Sequence, residues 1–311
     1  MDREAGNVLR KMLLTSDVIL FVSLFITFAY FFHRESGWNV DSRIRLTYTI
    51  VEQHSFAIDK YVESEPRDVG DKAFFNGHYY SDKIIGTSLL GVIPMAISHF
   101  VSRAFDCEFS EHTKRYVVTT FSVGILGALA GVILYRLLLL FGTSPAGSLF
   151  LTLAFVFGTQ TFGVCTVFLS YAPALFFEML SYFILVRFRD SLTGRRLFLS
   201  GLALGASLLC EYTVGIVAVG LTIYAFAHTK VKRTMLLFCL GVIIPLLPFV
   251  VYTMICFGRL MIPYDYLVRG EFKEGMSRGF QGITGFNPAA LYFITVHRYR
   301  GLFYHSPFLA L

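Results

Sequence analysis

Apolar runs alternate with polar stretches along most of the chain, at 12–32, 84–100, 116–140, 148–168, 172–186, 197–210, 213–226 and 235–257. The run at 12–32 is long enough to cross about 30 Å of hydrocarbon as a helix. No small-residue cleavage site follows it, so it predicts an anchoring helix rather than a removed leader. The runs at 197–210 and 213–226 are too short for comfortable vertical spans and meet at Glu211-Tyr212, which predicts a tight hairpin of short helices. Two long external loops, about 33–114 and about 258–305, are predicted, the first holding the shallow apolar run at 84–100. The predicted fold is all-α: a polytopic transmembrane helix bundle forming one module over 1–311, with a long first external loop that contains juxtamembrane helices. A new apolar run opens after Pro307, and half a span is not a stable terminus in lipid, so the sequence predicts further spans beyond Leu311.

Charge fixes the predicted topology. If every run crossed, Arg136, Arg187, Arg189, Arg195, Arg196, Lys230, Lys232 and Arg233 would all lie outside, against the preference of basic residues for the cytoplasmic side. If 84–100 lies along or dips into the outer face instead, all eight become cytoplasmic and the uncharged turn around Ser170 becomes external. Composition agrees with a membrane protein: 55% hydrophobic residues, 15% charged and a mean hydropathy of +0.62 are far from a soluble domain. The net charge of +6 sits in short clusters between apolar runs, not along one solvated face, which argues against nucleic acid as a partner. Five scattered cysteines, none in a CxxC pair, suggest neither a disulfide framework nor a metal site.

The first polar region holds the candidate chemistry. From Asp41 the spacing predicts a surface helix on the membrane, with Asp41, Arg45, Tyr48 and Glu52 on one face and Ile44, Thr47, Ile50 and Val51 around the other. Asp41 reads either as the N-cap of that helix or as a catalytic carboxylate. Asn76-Gly77 between aromatic residues predicts a tight hairpin delivering Ser81-Asp82-Lys83 to the start of the 84–100 helix. Asp82 would suit the positive end of that helix, but Lys83 would not, so Lys83 calls for an anion: Asp82, a lipid phosphate or a substrate. Glu211 is either a site residue or a carboxylate snorkelling to water.

Asp41 after the first span, Tyr79-Tyr80-Ser81-Asp82-Lys83 before a shallow helix, the Cys210-Glu211-Tyr212 hairpin and the run from Arg300 to Pro307 together resemble the GT-C class of membrane glycosyltransferases. The resemblance is strongest to bacterial polyprenyl-phosphate-sugar enzymes akin to the lipid A aminoarabinose transferase, and extends more distantly to the protein O-mannosyltransferases. It implies transfer of a sugar from a polyprenyl-phosphate donor, within the bilayer of the cell (inner) membrane and on its extracytoplasmic face, to a glycan, lipid or protein acceptor. It further implies catalytic roles for Asp41, as general base, and Asp82. The class's proline after this lysine is replaced by Ile84, and 159–171 lacks the acid that many members carry there. A divalent cation held by Asp41 and Asp82 would therefore lack a further carboxylate.

The chemistry such a transfer needs is a carboxylate to take the acceptor's proton and cations to hold the developing phosphate charge. Lys83 suits the second task. Arg298 and Arg300 could add bidentate phosphate contacts, or could simply anchor the interface beside Tyr299 and Phe303. Arg45, Tyr79, Tyr80 and Glu211 are expected to line the substrate cleft, with Asp41 and Asp82 facing each other across it. The alternatives are a transporter or flippase, which would be expected to show internal repeats and mid-span charges, and a catalytically inactive membrane scaffold.

Overall fold

The computed structural model describes residues 2–34, 37–63, 69–279, 282 and 284–310, and their side chains except those of 2–14, 63, 277 and 310. Helix α1 (Asp2–Tyr30) leads into α2 (Trp38–Glu52) and the short α3 (Asp59–Glu63). A two-stranded antiparallel hairpin follows, β1 (Lys72–Phe75) and β2 (His78–Ser81), in the register Phe75↔His78 and Lys72↔Ser81. Its turn residues Asn76 and Gly77 have φ of 50° and 85°, the left-handed pair that a two-residue hairpin turn requires.

The remainder is helical: α4 (Gly86–Ala104), α5 (Glu111–Thr119), a π-helical turn (Thr120–Gly124), α6 (Ile125–Leu140), α7 (Pro145–Gly158), α8 (Thr161–Cys165), α9 (Tyr171–Arg187), α10 (Gly194–Cys210), α11 (Gly215–His228), α12 (Met235–Phe257), α13 (Gly270–Ser277), α14 (Pro288–Thr295) and α15 (Leu302–His305). Two helices among the described residues are long and apolar enough to cross a membrane, Glu111–Leu140 and Lys232–Phe257. Shorter apolar helices lie at Thr15–Tyr30, Pro145–Gly158 and Tyr212–His228. Helix α12 leaves Leu236, Ile243, Leu247, Val251 and Ile255 exposed, an apolar face of the kind that marks contact with lipid or protein.

Small residues set how the helices stack. A Cβ on Gly201, Gly205 or Gly241 would run into the backbone carbonyls of Phe238, Val242 and Phe198, so α10 and α12 touch backbone to backbone and run parallel. Ser181 Oγ meets Ser200 Oγ at 2.9 Å and Ser207 Oγ donates to the Ala174 carbonyl at 2.8 Å, so α9 and α10 are antiparallel. These pairings gather the start of α9 and the ends of α10 and α12 at one end of the stack. The basic residues of 187–196 and 230–233 lie at the other. At Gly86 a Cβ would strike the Leu209 carbonyl, which seats the start of α4 on the end of α10.

Four local expectations need correction. Helix α2 is not a surface helix: ten of its fifteen residues, Val40, Arg43, Arg45 and Tyr48 among them, are buried between α4, α5 and the hairpin. Asp41 is not its N-cap, because Gly37 holds that position and Asp41 falls in the first turn. Helix α4 begins at Gly86, so Asp82 and Lys83 belong to the connector before it rather than to its first turn. The apolar run 148–168 is not one helix. It breaks at Thr159, whose extended backbone separates α7 from α8 and whose hydroxyl accepts from the Thr161 N–H at 3.2 Å.

Candidate functional site

Helix α2 has two polar faces, and they meet different surroundings. On one, Asp41 pairs with Arg115 at 2.6 Å, Arg45 with Glu111 at 3.0 Å and Glu52 with Lys114 at 2.8 Å. Arg115 also reaches Glu111 at 2.6 Å, one helical turn back on α5. On the other face, Ser42 Oγ lies 2.8 Å from Ser81 Oγ and 3.4 Å from Asp82 Oδ1. Arg43 Nη2 donates to Ser170 Oγ at 3.1 Å, and Ser170 in turn donates to Glu211 Oε2 at 2.7 Å. This second face opens into a cavity of about 560 Å³.

Each wall of that cavity comes from the same end of the helix stack. The start of α2 supplies Trp38 and Arg43, the loops flanking the hairpin supply Asp71, Asp82 and Lys83, and the α10–α11 junction supplies Glu211 and Tyr212. Helix α12 contributes Tyr252, whose hydroxyl donates to the Ser81 carbonyl at 2.8 Å and so fixes the connector carrying Asp82 and Lys83. The segment after α12 forms the roof with Tyr264, Arg269 and Phe272. It is held there by Val268 N–H donating to the Lys72 carbonyl at 3.2 Å and by Tyr264 donating to Tyr212 at 2.7 Å. The Arg269 guanidinium stands 3.7 Å from the centre of the Trp38 ring, a cation–π contact.

Lys83 is the electrostatic centre. Its Nζ bridges Asp71 at 2.8 Å and Asp82 at 3.0 Å. Burial raises the Asp82 pKa above the usual carboxylate value, and Lys83 offsets this only in part. Burial pulls Lys83 downward, but Asp82 and Asp71 outweigh it and leave the ammonium pKa raised. Arg43 is 3% exposed, and burial lowers its pKa against the opposing pull of Glu211 and Asp82. Its Nε finds no hydrogen-bond partner among the described residues. Three cations, three carboxylates and a ring of aromatic side chains therefore converge on one partly enclosed space.

The predicted site residues divide. Asp82, Lys83 and Glu211 line this cavity. Asp41 does not line it, and it does not face Asp82 there; its carboxylate turns to Arg115. Arg45 also turns away, toward Glu111 and the Tyr61 ring. Tyr80 packs on Phe257, and Tyr79 lines a smaller surface hollow outside the hairpin. Arg298 and Arg300 are exposed and do not line the cavity; the Arg300 guanidinium lies over Tyr299.

A divalent cation does not fit the arrangement. Lys83 already occupies the space between Asp71 and Asp82, Asp41 is committed elsewhere, and no group of three or more His, Cys, Asp or Glu among the described residues could hold a metal ion. Residues that the sequence did not single out are Trp38, Arg43, Asp71, Ser170, Tyr264 and Arg269. Arg43 had a signal, since at about 100° per residue it points away from Asp41 and Arg45 on the same helix. Asp71 and Arg269 had none, because only the fold brings them to Lys83 and Trp38. The chain matches no known protein family, no curated protein and no solved structure.

Proposed function

We propose that the chain is a multi-pass membrane glycosyltransferase that moves a sugar from a polyprenyl-phosphate donor to an acceptor at the extracytoplasmic face of the cell membrane. The observation that carries this reading is the cavity around Lys83, where buried cations and carboxylates meet among aromatic walls at the end of the helices opposite the basic clusters. Aromatic faces with adjacent carboxylates suit a sugar. Lys83, Arg43 and Arg269 suit a phosphate.

In this reading the phosphate enters between Lys83 and Arg43 and competes with Asp71 and Asp82 for Lys83. The acceptor oxygen then attacks the anomeric carbon, the bond from that carbon to the phosphate oxygen breaks, and the acceptor's proton passes to a cavity carboxylate. Charge growing on the leaving phosphate strengthens its contact with Lys83, so the lysine stabilises the transition state more than the ground state. Asp41, held by Arg115 outside the cavity wall, takes no part in the proton transfer and instead holds α2 in place.

The test is transfer of labelled sugar from polyprenyl-phosphate donors in membranes carrying the chain, compared with the Lys83→Met variant at equal expression. Donor-dependent transfer lost in the variant supports the reading. Equal transfer by both, or none with glucosyl, mannosyl and aminoarabinosyl donors, would defeat it. The topology is checked separately by cysteines placed at Leu192 and Val231, which should react with an impermeant thiol reagent only after the cells are opened.

A further inference from the structure

A second chamber of about 530 Å³ adjoins the first, and the Glu211 side chain lies in the wall of both. The two differ in charge. The first is lined by Arg43, Lys83 and Arg269, whereas the lining of the second contains no lysine, arginine or histidine among the described residues. Its wall is mostly apolar, from Phe155, Leu175 and Leu302, with a few polar points. One of these is Ser306, 1% exposed, whose hydroxyl has no hydrogen-bond partner among the described residues. Another is Glu178, for which no hydrogen bond or ion pair with a described residue is found.

An unpaired buried hydroxyl costs free energy unless something in the chamber bonds to it. A lining with two carboxylates and no lysine, arginine or histidine among the described residues disfavours a phosphate or any other anion. The apolar wall calls for an apolar body. The geometry points to an acceptor site: the second chamber binds an uncharged, hydroxyl-bearing amphiphile, with its chain against Leu175 and Leu302 and its hydroxyl directed to Glu211. The catalytic half of this inference rests on the transferase reading above. Glu211 is then the base, taking the hydroxyl proton as the new carbon–oxygen bond forms and the donor phosphate leaves toward Lys83. Ser170 and Thr213, which donate to its two oxygens at 2.7 and 3.0 Å, hold the carboxylate at the junction.

The binding half is tested without any transfer reaction. The full chain is reconstituted in phosphatidylcholine vesicles with a long-chain alcohol that carries a photoreactive diazirine, and the labelled residues are mapped. Label should concentrate on 155–178 and 302–309, and hexadecanol should displace it at least tenfold better than hexadecyl phosphate. Leu175→Trp, which fills the chamber, should cut this label at least fivefold. Glu178→Lys should reverse the preference toward the phosphate, a gain that a misfolded protein could not show. Equal competition by the phosphate, undiminished label in Leu175→Trp, or label no stronger than on lipid-facing Ile223 and Leu247 would overturn the site. The catalytic half is overturned if Glu211→Gln keeps more than a tenth of the transfer to hexadecanol. Chamber labelling with no transfer from any donor would instead defeat the transferase reading and leave the binding site standing.

Discussion

The two polar faces of α2 are separated by half a helical turn, yet they obey different rules. On the α5 side, Asp41, Arg45 and Glu52 meet Arg115, Glu111 and Lys114, each charge opposed by its complement. On the cavity side, Lys83 is shared between two acids and Arg43 is linked to Glu211 through Ser170. The first arrangement is closed and locks two helices together. The second keeps polar groups in the wall of a space that a ligand can enter. The Asp41 face is the more conspicuous in the sequence, and the Arg43 face is the one that opens on the cavity.

Substitutions can break or sharpen that contrast. The largest expected effect is at Lys83: Lys83→Met should lower transfer by about a hundredfold to a thousandfold, the usual loss when a group that stabilises transition-state charge is removed. Donor binding should weaken with it. Asp41→Asn, on the closed face, should behave in the opposite way, with turnover within about threefold of the parent and stability in detergent lower by about 1–3 kcal/mol, the cost of removing one of the carboxylates paired with partly buried Arg115. A hundredfold loss of turnover in Asp41→Asn with unchanged thermal stability would reverse the assignment of the two faces.

The faces also differ in their response to pH. Burial acts to raise the Glu52 pKa, but hydrogen bonds from Lys114 and Tyr61 and the charges of Lys114 and Lys60 lower it overall. Its stabilising contribution is therefore present above the unfolded value of about 4.3 and is lost as pH falls through the folded one. Asp82 is shifted upward, so its contribution is present below about 3.9 and is lost as pH rises through the folded value. Melting curves between pH 3 and 7 should show the parent's advantage over Glu52→Gln shrinking with acid while its advantage over Asp82→Asn grows. Each slope is at most about 1.4 kcal/mol per pH unit for one proton. Parallel curves would remove the distinction. The smallest effect is expected from Arg298→Ala with Arg300→Ala, which should change transfer by less than about twofold, since exposed charges away from a site contribute little. A loss as large as that of Lys83→Met would put the donor phosphate outside the cavity.

How much of this was legible depended on how local the determinant was. The Asn76-Gly77 turn, the two short helices meeting at Glu211 and the face shared by Asp41, Arg45 and Glu52 all follow from neighbouring residues, and sequence spacing is enough to read them. The break at Thr159 had a signal, Gly158-Thr159-Gln160-Thr161 inside the run at 148–168, but the hydropathy of the run as a whole outweighs it because hydropathy reports burial or lipid contact and not backbone continuity. The burial of α2 was hidden for a related reason. Its charged residues read as solvated, and their burial is offset by ion pairs from α5 and by the Ser170–Glu211 contact of Arg43.

By itself the sequence determined a mostly helical chain with strongly apolar helices, the hairpin that carries Asp82 and Lys83 forward, and a concentration of ionisable groups in the first polar region. The tertiary structure alone decided which of those groups face one another. Asp71 and Asp82 share Lys83 because the hairpin folds its two ends together, and Glu211 joins Arg43 through Ser170 because Gly86 seats α4, which packs on α2, against the end of α10 while serine contacts pair α10 with α9. Periodicity assigns a residue to a face of its own helix. What that face meets is set by contacts between segments from 39 to 127 residues apart, and no local pattern encodes them.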